Sequence, residues 1–148
     1  MKNQIIVVLT VVFLTVGFVF SPTTTAESRI TAANGAARCY ILPVRDALKN
    51  SKAVFVGEVV GETKSGDVKT FRFKIEKYWK GAVKKTIEVG VYETSFYQAP
   101  FQKGEKFLVF AVSDAESGKL RVVRCSRSKN LTEAKEDLAA LGVGKKPR

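Results

Sequence analysis

The apolar and polar positions after residue 50 follow a two-residue period that predicts β-strands. In residues 53–62 both alternating sets of side chains are largely apolar, which is typical of a strand buried on two faces. A turn sequence follows at residues 64–67, and Phe71, Phe73 and Ile75 then alternate with polar and charged residues. This second strand is the clearest element that the pattern predicts.

Three further strands are predicted at residues 86–92, 105–112 and 119–125. The segment at residues 93–103 has no such period and contains a proline, so we expect a loop there. Residues 113–118 are rich in turn-forming side chains, which predicts a hairpin between the last two strands.

A short helix is predicted on each side of the strands. Pro43 suits the first position of a helix that extends to residue 50. The second helix has an apolar stripe of four residues, Leu131, Ala134, Leu138 and Leu141. Asn130 and Glu133 are spaced as a capping pair at its start, and Gly142 is a stop signal at its end.

Five strands with one short helix before them and one after them predict a mainly β protein. We expect a closed five-stranded β-barrel of the OB type, because a sandwich usually needs about seven strands. The barrel domain is assigned to residues 39–142, and a basic tail to residues 143–148.

Residues 1–26 have the pattern of a signal peptide. Lys2 is their only charged residue, an apolar run covers residues 5–20, and small residues lead to Ala26, so we expect cleavage near Ala26. The mature protein is then secreted or periplasmic, and residues 27–38 form a flexible leader before the fold. Because the apolar run is slightly shorter than the roughly 20 residues that span a bilayer, an uncleaved N-terminal anchor is the alternative. No membrane contact is expected beyond this segment.

The absence of histidine excludes Ser-His-Asp and Cys-His pairs and every zinc site with a histidine ligand. The two cysteines, Cys39 and Cys125, are expected to form a disulfide in an exported protein rather than a catalytic thiolate. We therefore predict that the protein is not an enzyme and has no catalytic residue, metal or cofactor. An enzymatic alternative is an acid and base pair among four carboxylates, Glu58, Glu62, Glu88 and Glu93.

The formal charge of +11 favours a polyanionic or acidic partner, although a positive surface also serves solubility alone. Four basic residues on and after the fifth predicted strand form the candidate polyanion site: Arg121, Arg124, Arg127 and Lys129. OB barrels bind oligosaccharides and single-stranded nucleic acid on such faces. An anionic glycan or single-stranded nucleic acid is therefore one class of partner that the sequence predicts.

The order of several motifs resembles a known family. CYILP at residues 39–43 precedes the first helix, AVFVGEVV and FRFKIEKYWKG form the first two strands, and VVRCS comes before the last helix. Together these motifs resemble the inhibitory domain of the tissue inhibitors of metalloproteinases (TIMP), a netrin-type (NTR) module with an OB fold. The resemblance covers residues 39–141.

The resemblance implies that Cys39 and Cys125 match one of two disulfides of the family. The cysteine of the other disulfide corresponds to Ala37 and its partner loop to residues 96–97, and this chain has no cysteine at either place. Family inhibitors chelate the zinc of a protease with the amino group and carbonyl of that cysteine. This chain lacks the chelating cysteine, and the predicted leader precedes the fold.

The family's binding ridge corresponds to two segments of this chain, Tyr40, Ile41 and Leu42 in one and Phe96 and Tyr97 in the other. Exposed aromatic and aliphatic side chains beside a rigid barrel are typical anchors for a protein partner. Alternatively, the first segment caps the barrel and Phe96 folds back onto it.

We predict an exported, non-enzymatic module that binds a protein, with a metalloprotease as the target that the resemblance implies. Polyanion binding is the alternative function.

Overall fold

The computed structural model of the protein describes residues 39–82 and 84–148. The predicted signal peptide at residues 1–26, the cleavage near Ala26 and the leader at residues 27–38 lie outside the described residues. Within the described residues, no helix is both long enough and apolar enough to cross a membrane.

The described chain is mainly β, with a short helix at each end, as the sequence predicts. Its elements are α1 (Val44–Asn50), β1 (Ala53–Ser65), β2 (Val68–Lys80), β3 (Thr86–Tyr92), β4 (Lys106–Ser113), β5 (Leu120–Val122), β6 (Lys129–Asn130), a 3-10 turn (Leu131–Glu133) and α2 (Lys135–Leu141). The predicted disulfide between Cys39 and Cys125 is also confirmed.

Five strands close into a ring of hydrogen bonds. β1 pairs antiparallel with β2 on one side and with β4 on the other. β2 pairs antiparallel with β3, β3 runs parallel to β5, and β5 returns antiparallel to β4. The last of these pairings is the predicted hairpin. The two-residue strand β6 adds to the free part of β4.

β1 is bent, which helps the sheet to close into a ring. Its register against β2 shifts at three places, one of them between Val59 and Gly61. Such bulges increase the local bend and twist of a strand, which allows a sheet of this size to close. At Gly57 a Cβ atom would lie 2.9 Å from the carbonyl oxygen of Lys74, so glycine allows the close approach of β2 at that bend.

The interior of the ring is filled by an aromatic cluster around Phe101. The ring of Phe101 stands edge to face against Phe71, Phe73 and Phe107, with centroid distances of 5.2, 5.1 and 5.0 Å. The alternation in β2 therefore places Phe71, Phe73 and Ile75 inside, as predicted. Phe101, however, comes from the loop after β3, where no periodicity indicated its burial.

The two helices cover the opposite face of β1 and β4. Val54 and Val56 of β1 and Leu108 and Phe110 of β4 are buried there against both helices. This second cluster explains why both alternating sets of β1 are apolar, since one set faces the interior of the ring and the other faces the helices.

The second helix begins later than the pattern predicts. Residues 131–133 form a 3-10 turn, and α2 begins only at Lys135. Asn130 caps this turn by accepting the backbone N–H of Thr132 at 3.0 Å, but in the described residues Glu133 makes no return hydrogen bond to it. Asn130 of β6 is also paired with Phe107 of β4, so the chain passes directly from a strand into the tighter turn. Gly142, with φ of 70°, ends α2 as predicted.

Candidate functional site

The first candidate segment leaves the surface disulfide and turns inward at Leu42. The Cα atoms of Cys39 and Cys125 are 5.2 Å apart. Tyr40 is 77% exposed and Ile41 is 51% exposed, whereas Leu42 is partly buried against the cluster beneath the helices. The structure therefore presents two of the three predicted side chains to solvent and uses the third to fix the segment.

Arg127 holds this segment in place. Its Nη1 donates to the carbonyl oxygen of Leu42 at 2.6 Å, while Nη2 and Nε donate to Asp137 of α2 at 2.6 and 3.3 Å. Lys129 reaches the same carboxylate at 3.0 Å. Asp137 is only 2% exposed, so these two cations compensate its carboxylate for the hydration that it loses on burial.

The pKa of Asp137 results from opposing effects. Burial raises it, but the side-chain hydrogen bonds from Arg127 and Lys129 outweigh burial and lower the pKa below its ordinary value. The carboxylate is thus ionised at neutral pH and keeps both cations bound. Two of the four residues of the candidate polyanion site, Arg127 and Lys129, are therefore engaged within the fold.

The second candidate segment is a tight turn with Phe96 at its tip. The backbone N–H groups of Thr94 and Tyr97 each donate to the carbonyl oxygen of the other, at 2.9 and 3.2 Å. The backbone N–H of Phe96 donates to the hydroxyl of Thr94 at 3.3 Å. Phe96 is 88% exposed, and Tyr97 packs against the aromatic interior. Phe96 therefore does not fold back onto the domain.

Glu93 fastens the base of this turn. One carboxylate oxygen accepts the backbone N–H of Ala99 at 3.3 Å, and the other lies 3.0 Å from Nζ of Lys64. The hydrogen bond from Lys64, followed by that from Ala99, lowers the pKa of Glu93. The place of Glu93 directly after β3 and before an aperiodic loop is the sequence signal for this role. The sequence pattern indicated Glu93 as a member of a possible acid and base pair instead.

Both candidate segments interact with residues 124–125. Burial raises the pKa of the Tyr97 hydroxyl, and the positive charge of Arg124 partly offsets that effect. The next residue, Cys125, carries the disulfide to the first segment. We call Tyr40, Ile41, Leu42, Phe96 and Tyr97 the ridge. It has three exposed large side chains, Tyr40, Ile41 and Phe96.

The remaining candidates for polyanion binding differ in their surroundings. Nε of Arg121 lies 3.2 Å from Asp114 at an angle too bent for a hydrogen bond, and its guanidinium lies 5.9 Å from the ring of Tyr92. These three residues line a groove of about 710 Å³ between β3 and the hairpin of β4 and β5. Arg124 is exposed and makes no ion pair with the described residues. The structure thus does not gather the four cations into one free surface.

Three of the four carboxylates considered for catalysis are paired with cations instead of with one another, and Glu58 makes no ion pair within the described residues. Glu62 lies 3.1 Å from Lys69, and Glu88 lies 3.2 Å from Arg72. Among residues 39–82 and 84–148 there is no group of three or more metal-binding side chains. No protein-family model matches the chain, and no curated protein matches it.

Proposed function

We propose that the protein is an exported, non-enzymatic binding module of the netrin type that binds a partner protein through the ridge. The disulfide is consistent with an extracellular location. An OB-type barrel is supported by the pairing order β1-β2-β3-β5-β4, by the closing pair of β1 with β4 and by the parallel pairing of β3 with β5.

The observation that carries this proposal is the rigid display of Tyr40, Ile41 and Phe96 in solvent. Large apolar side chains that anchor a protein partner gain most when they are already fixed before binding. The disulfide and the Arg127 hydrogen bond fix the first segment, and the turn hydrogen bonds with Glu93 fix the second. Such anchoring lowers the entropy cost of binding a partner at these side chains.

Among protein partners, the resemblance to the TIMP inhibitory domain directs the proposal to metalloproteases. The zinc-chelating cysteine of that family is replaced by Ala37, which lies outside the described residues. Inhibition by this protein would therefore depend on contacts of the ridge and not on an N-terminal chelate. A chain that begins at Glu27 should bind as well as any shorter form.

The test is photocrosslinking from the ridge. Phe96 is replaced by benzoylphenylalanine, and the protein is exposed to the secreted proteins of its source and to a panel of purified metalloproteases. We expect a discrete crosslinked species whose yield falls when Ile41→Ser is added, because the two segments would contact the same partner. Protease activity is measured in parallel with the unmodified protein.

The matched control places the same photoreactive residue at Val143, an exposed apolar position on another part of the domain. Crosslinking to the same species from both positions would contradict a specific ridge, as would crosslinking that Ile41→Ser does not change. Crosslinking to proteins other than metalloproteases would support protein binding through the ridge but contradict a metalloprotease as the target.

A further inference from the structure

Three separate segments of the chain carry basic side chains and no acidic ones. Residues 49–52, 77–85 and 145–148 contain eight lysines and one arginine and have neither Asp nor Glu. Over residues 39–148 there are 22 basic and 13 acidic side chains, a net charge of +9. The three segments therefore account for the whole positive excess of this part of the chain.

The fold brings these segments together. The backbone N–H groups of Tyr78 and Lys145 donate to each other's carbonyl oxygens at 2.8 and 2.7 Å, which pairs the predicted tail with the end of β2. The ammonium of Lys80 donates to the carbonyl oxygens of Leu48 and Lys49 at the end of α1, at 3.1 and 2.7 Å. We call the surface formed by the three segments the lysine face.

The nine cations of the lysine face lack acidic partners. Seven ion pairs occur in the described residues, and all of them use cations outside the three segments. Lys80 is occupied by its hydrogen bonds to α1, but Lys84, Lys85 and Lys146 are exposed. Concentrated like charge costs folding free energy through self-repulsion, and a bound polyanion relieves that cost.

We propose that the lysine face binds a linear anionic polysaccharide. Eight of its nine cations are lysines, which act as point charges and do not impose the planar, two-pronged geometry of arginine. Such a surface suits a polymer with repeated sulfate or carboxylate groups, whose binding is driven by the release of condensed counterions. This site is separate from the ridge and does not depend on the proposed protein partner.

The surroundings of the lysine face favour a polysaccharide over nucleic acid or a membrane. Its aromatic residues, Tyr78 and Trp79, are partly buried, and the indole N–H of Trp79 donates to the carbonyl oxygen of Gly142 at 3.0 Å. They therefore offer no platform for stacked bases. Val143 is the exposed apolar residue beside the face, and membrane-surface binding usually uses a continuous apolar stripe.

The experiment compares two triple variants of the full chain that remove the same charge. The first is Lys84→Gln, Lys85→Gln and Lys146→Gln on the lysine face. The control is Lys103→Gln, Lys119→Gln and Lys135→Gln, three lysines that are exposed and make no ion pair with the described residues. Binding of each protein to a heparin dodecasaccharide is measured by calorimetry over a range of salt concentrations.

We expect the first variant to bind heparin at least about tenfold more weakly than the unmodified protein. The slope of log affinity against log salt concentration should fall by about two to three units, because three fewer contacts release counterions on binding. The control variant should bind within about twofold of the unmodified protein. Equal weakening of both variants would overturn the proposal, because it would show that only total charge matters.

Two other results would also overturn it. One is the absence of heparin binding at physiological salt by the unmodified protein. The other is tighter binding to vesicles of phosphatidylglycerol than to the dodecasaccharide, which would assign the face to a membrane. Because the side chains of the three replaced lysines make no hydrogen bond or ion pair within the described residues, unchanged thermal unfolding serves as the control for folding.

Discussion

Replacing Asp137 by asparagine keeps the size of the side chain and removes its charge. In the native protein this buried carboxylate accepts from Arg127 at 2.6 and 3.3 Å and lies 3.0 Å from the ammonium of Lys129. After Asp137→Asn both cations face a neutral amide. Arg127 also supports the Leu42 carbonyl, so the substitution should loosen the first segment of the ridge as well as destabilise the fold.

The expected loss of unfolding free energy is about 3 kcal/mol. Removing one partner of a buried ion pair typically costs about 3 to 5 kcal/mol, because the other charge remains buried without compensation. The side chains of Arg127 and Lys129 are 20% and 31% exposed, so water compensates part of the loss and the lower end of that range applies. Urea unfolding at neutral pH measures this difference directly.

The pH dependence of the difference identifies its cause. The folded-state pKa of Asp137 is lowered, so its stabilising effect is complete above the unfolded-state pKa and is lost as pH falls through the folded-state value. The gap between the native protein and Asp137→Asn should therefore be constant above about pH 5 and narrow steadily below about pH 4. Glu93 and Asp114 also have lowered pKa values, but both remain in the variant and cancel in the comparison.

Glu136→Gln is the matched control, because Glu136 is a neighbouring acidic residue of α2 that is exposed and makes no ion pair with the described residues. It should change stability by less than about 0.5 kcal/mol. A loss below about 1 kcal/mol in Asp137→Asn would refute the role given to the Arg127 and Lys129 contacts. A loss that stays the same at acidic pH would also refute it, because the charge would then not be the cause.

Three further substitutions test other parts of the fold by urea or thermal unfolding. Replacing both Cys39 and Cys125 by serine should lower the unfolding free energy by about 4.5 kcal/mol, because the disulfide closes a separation of 86 residues in the unfolded chain; a loss below about 1 kcal/mol would contradict this. Gly81→Ala should lower the unfolding free energy by at least about 2 kcal/mol more than Gly66→Ala. Both glycines have positive φ, but only at Gly81 would a Cβ atom meet the backbone of Lys52, just before β1. Equal losses in the two variants would exclude that contact. Phe101→Ala should cost about 4 kcal/mol through loss of the central aromatic ring, and a cost below about 1.5 kcal/mol would show that the interior repacks.

Strand bounds that follow from the local pattern were predicted well, whereas bounds that depend on distant partners were not. The bounds of β3 agree with the predicted residues 86–92, because one set of its side chains fills the interior. The predicted strand at residues 119–125 is reduced to Leu120–Val122. There the chain must fit between β3 and β4 and then leave to reach the disulfide at Cys125, and no local pattern encodes that departure.

The ridge illustrates the same limit at the level of side chains. Phe96 and Phe101 are aromatic residues of one aperiodic loop, but the first is exposed and the second is buried. Phe96 lies at the tip of the turn closed by Thr94 and Tyr97, whereas Phe101 packs against aromatic rings of β2 and β4. A resemblance in motif order placed Phe96 among the candidates, but the burial of Phe101 depends on strands that are distant in the sequence.

The four basic residues of the candidate polyanion site were predicted from their position on and after a strand, without knowledge of the acidic residues that they contact. Asp137 lies three residues after Ala134 and four before Leu141, so it shares the apolar stripe of the last helix. An acidic residue on such a stripe is a signal that a cation must be buried with it. That signal predicts a cation buried beside Asp137, but only the fold identifies Arg127 and Lys129 as its partners.

The Phe96 turn of the ridge and the lysine-rich connection after β2 lie at opposite ends of β2 and β3. The turn with Phe96 follows the end of β3, where Tyr92 is paired with Val68 at the start of β2. The lysine-rich connection at residues 77–85 lies at the other end, where Thr86 is paired with Lys74. Seven strand residues separate them, a distance of about 20 Å at roughly 3.3 Å per residue. Under the two proposals, a polysaccharide bound at the lysine-rich connection leaves Phe96 open to contact with a protein partner.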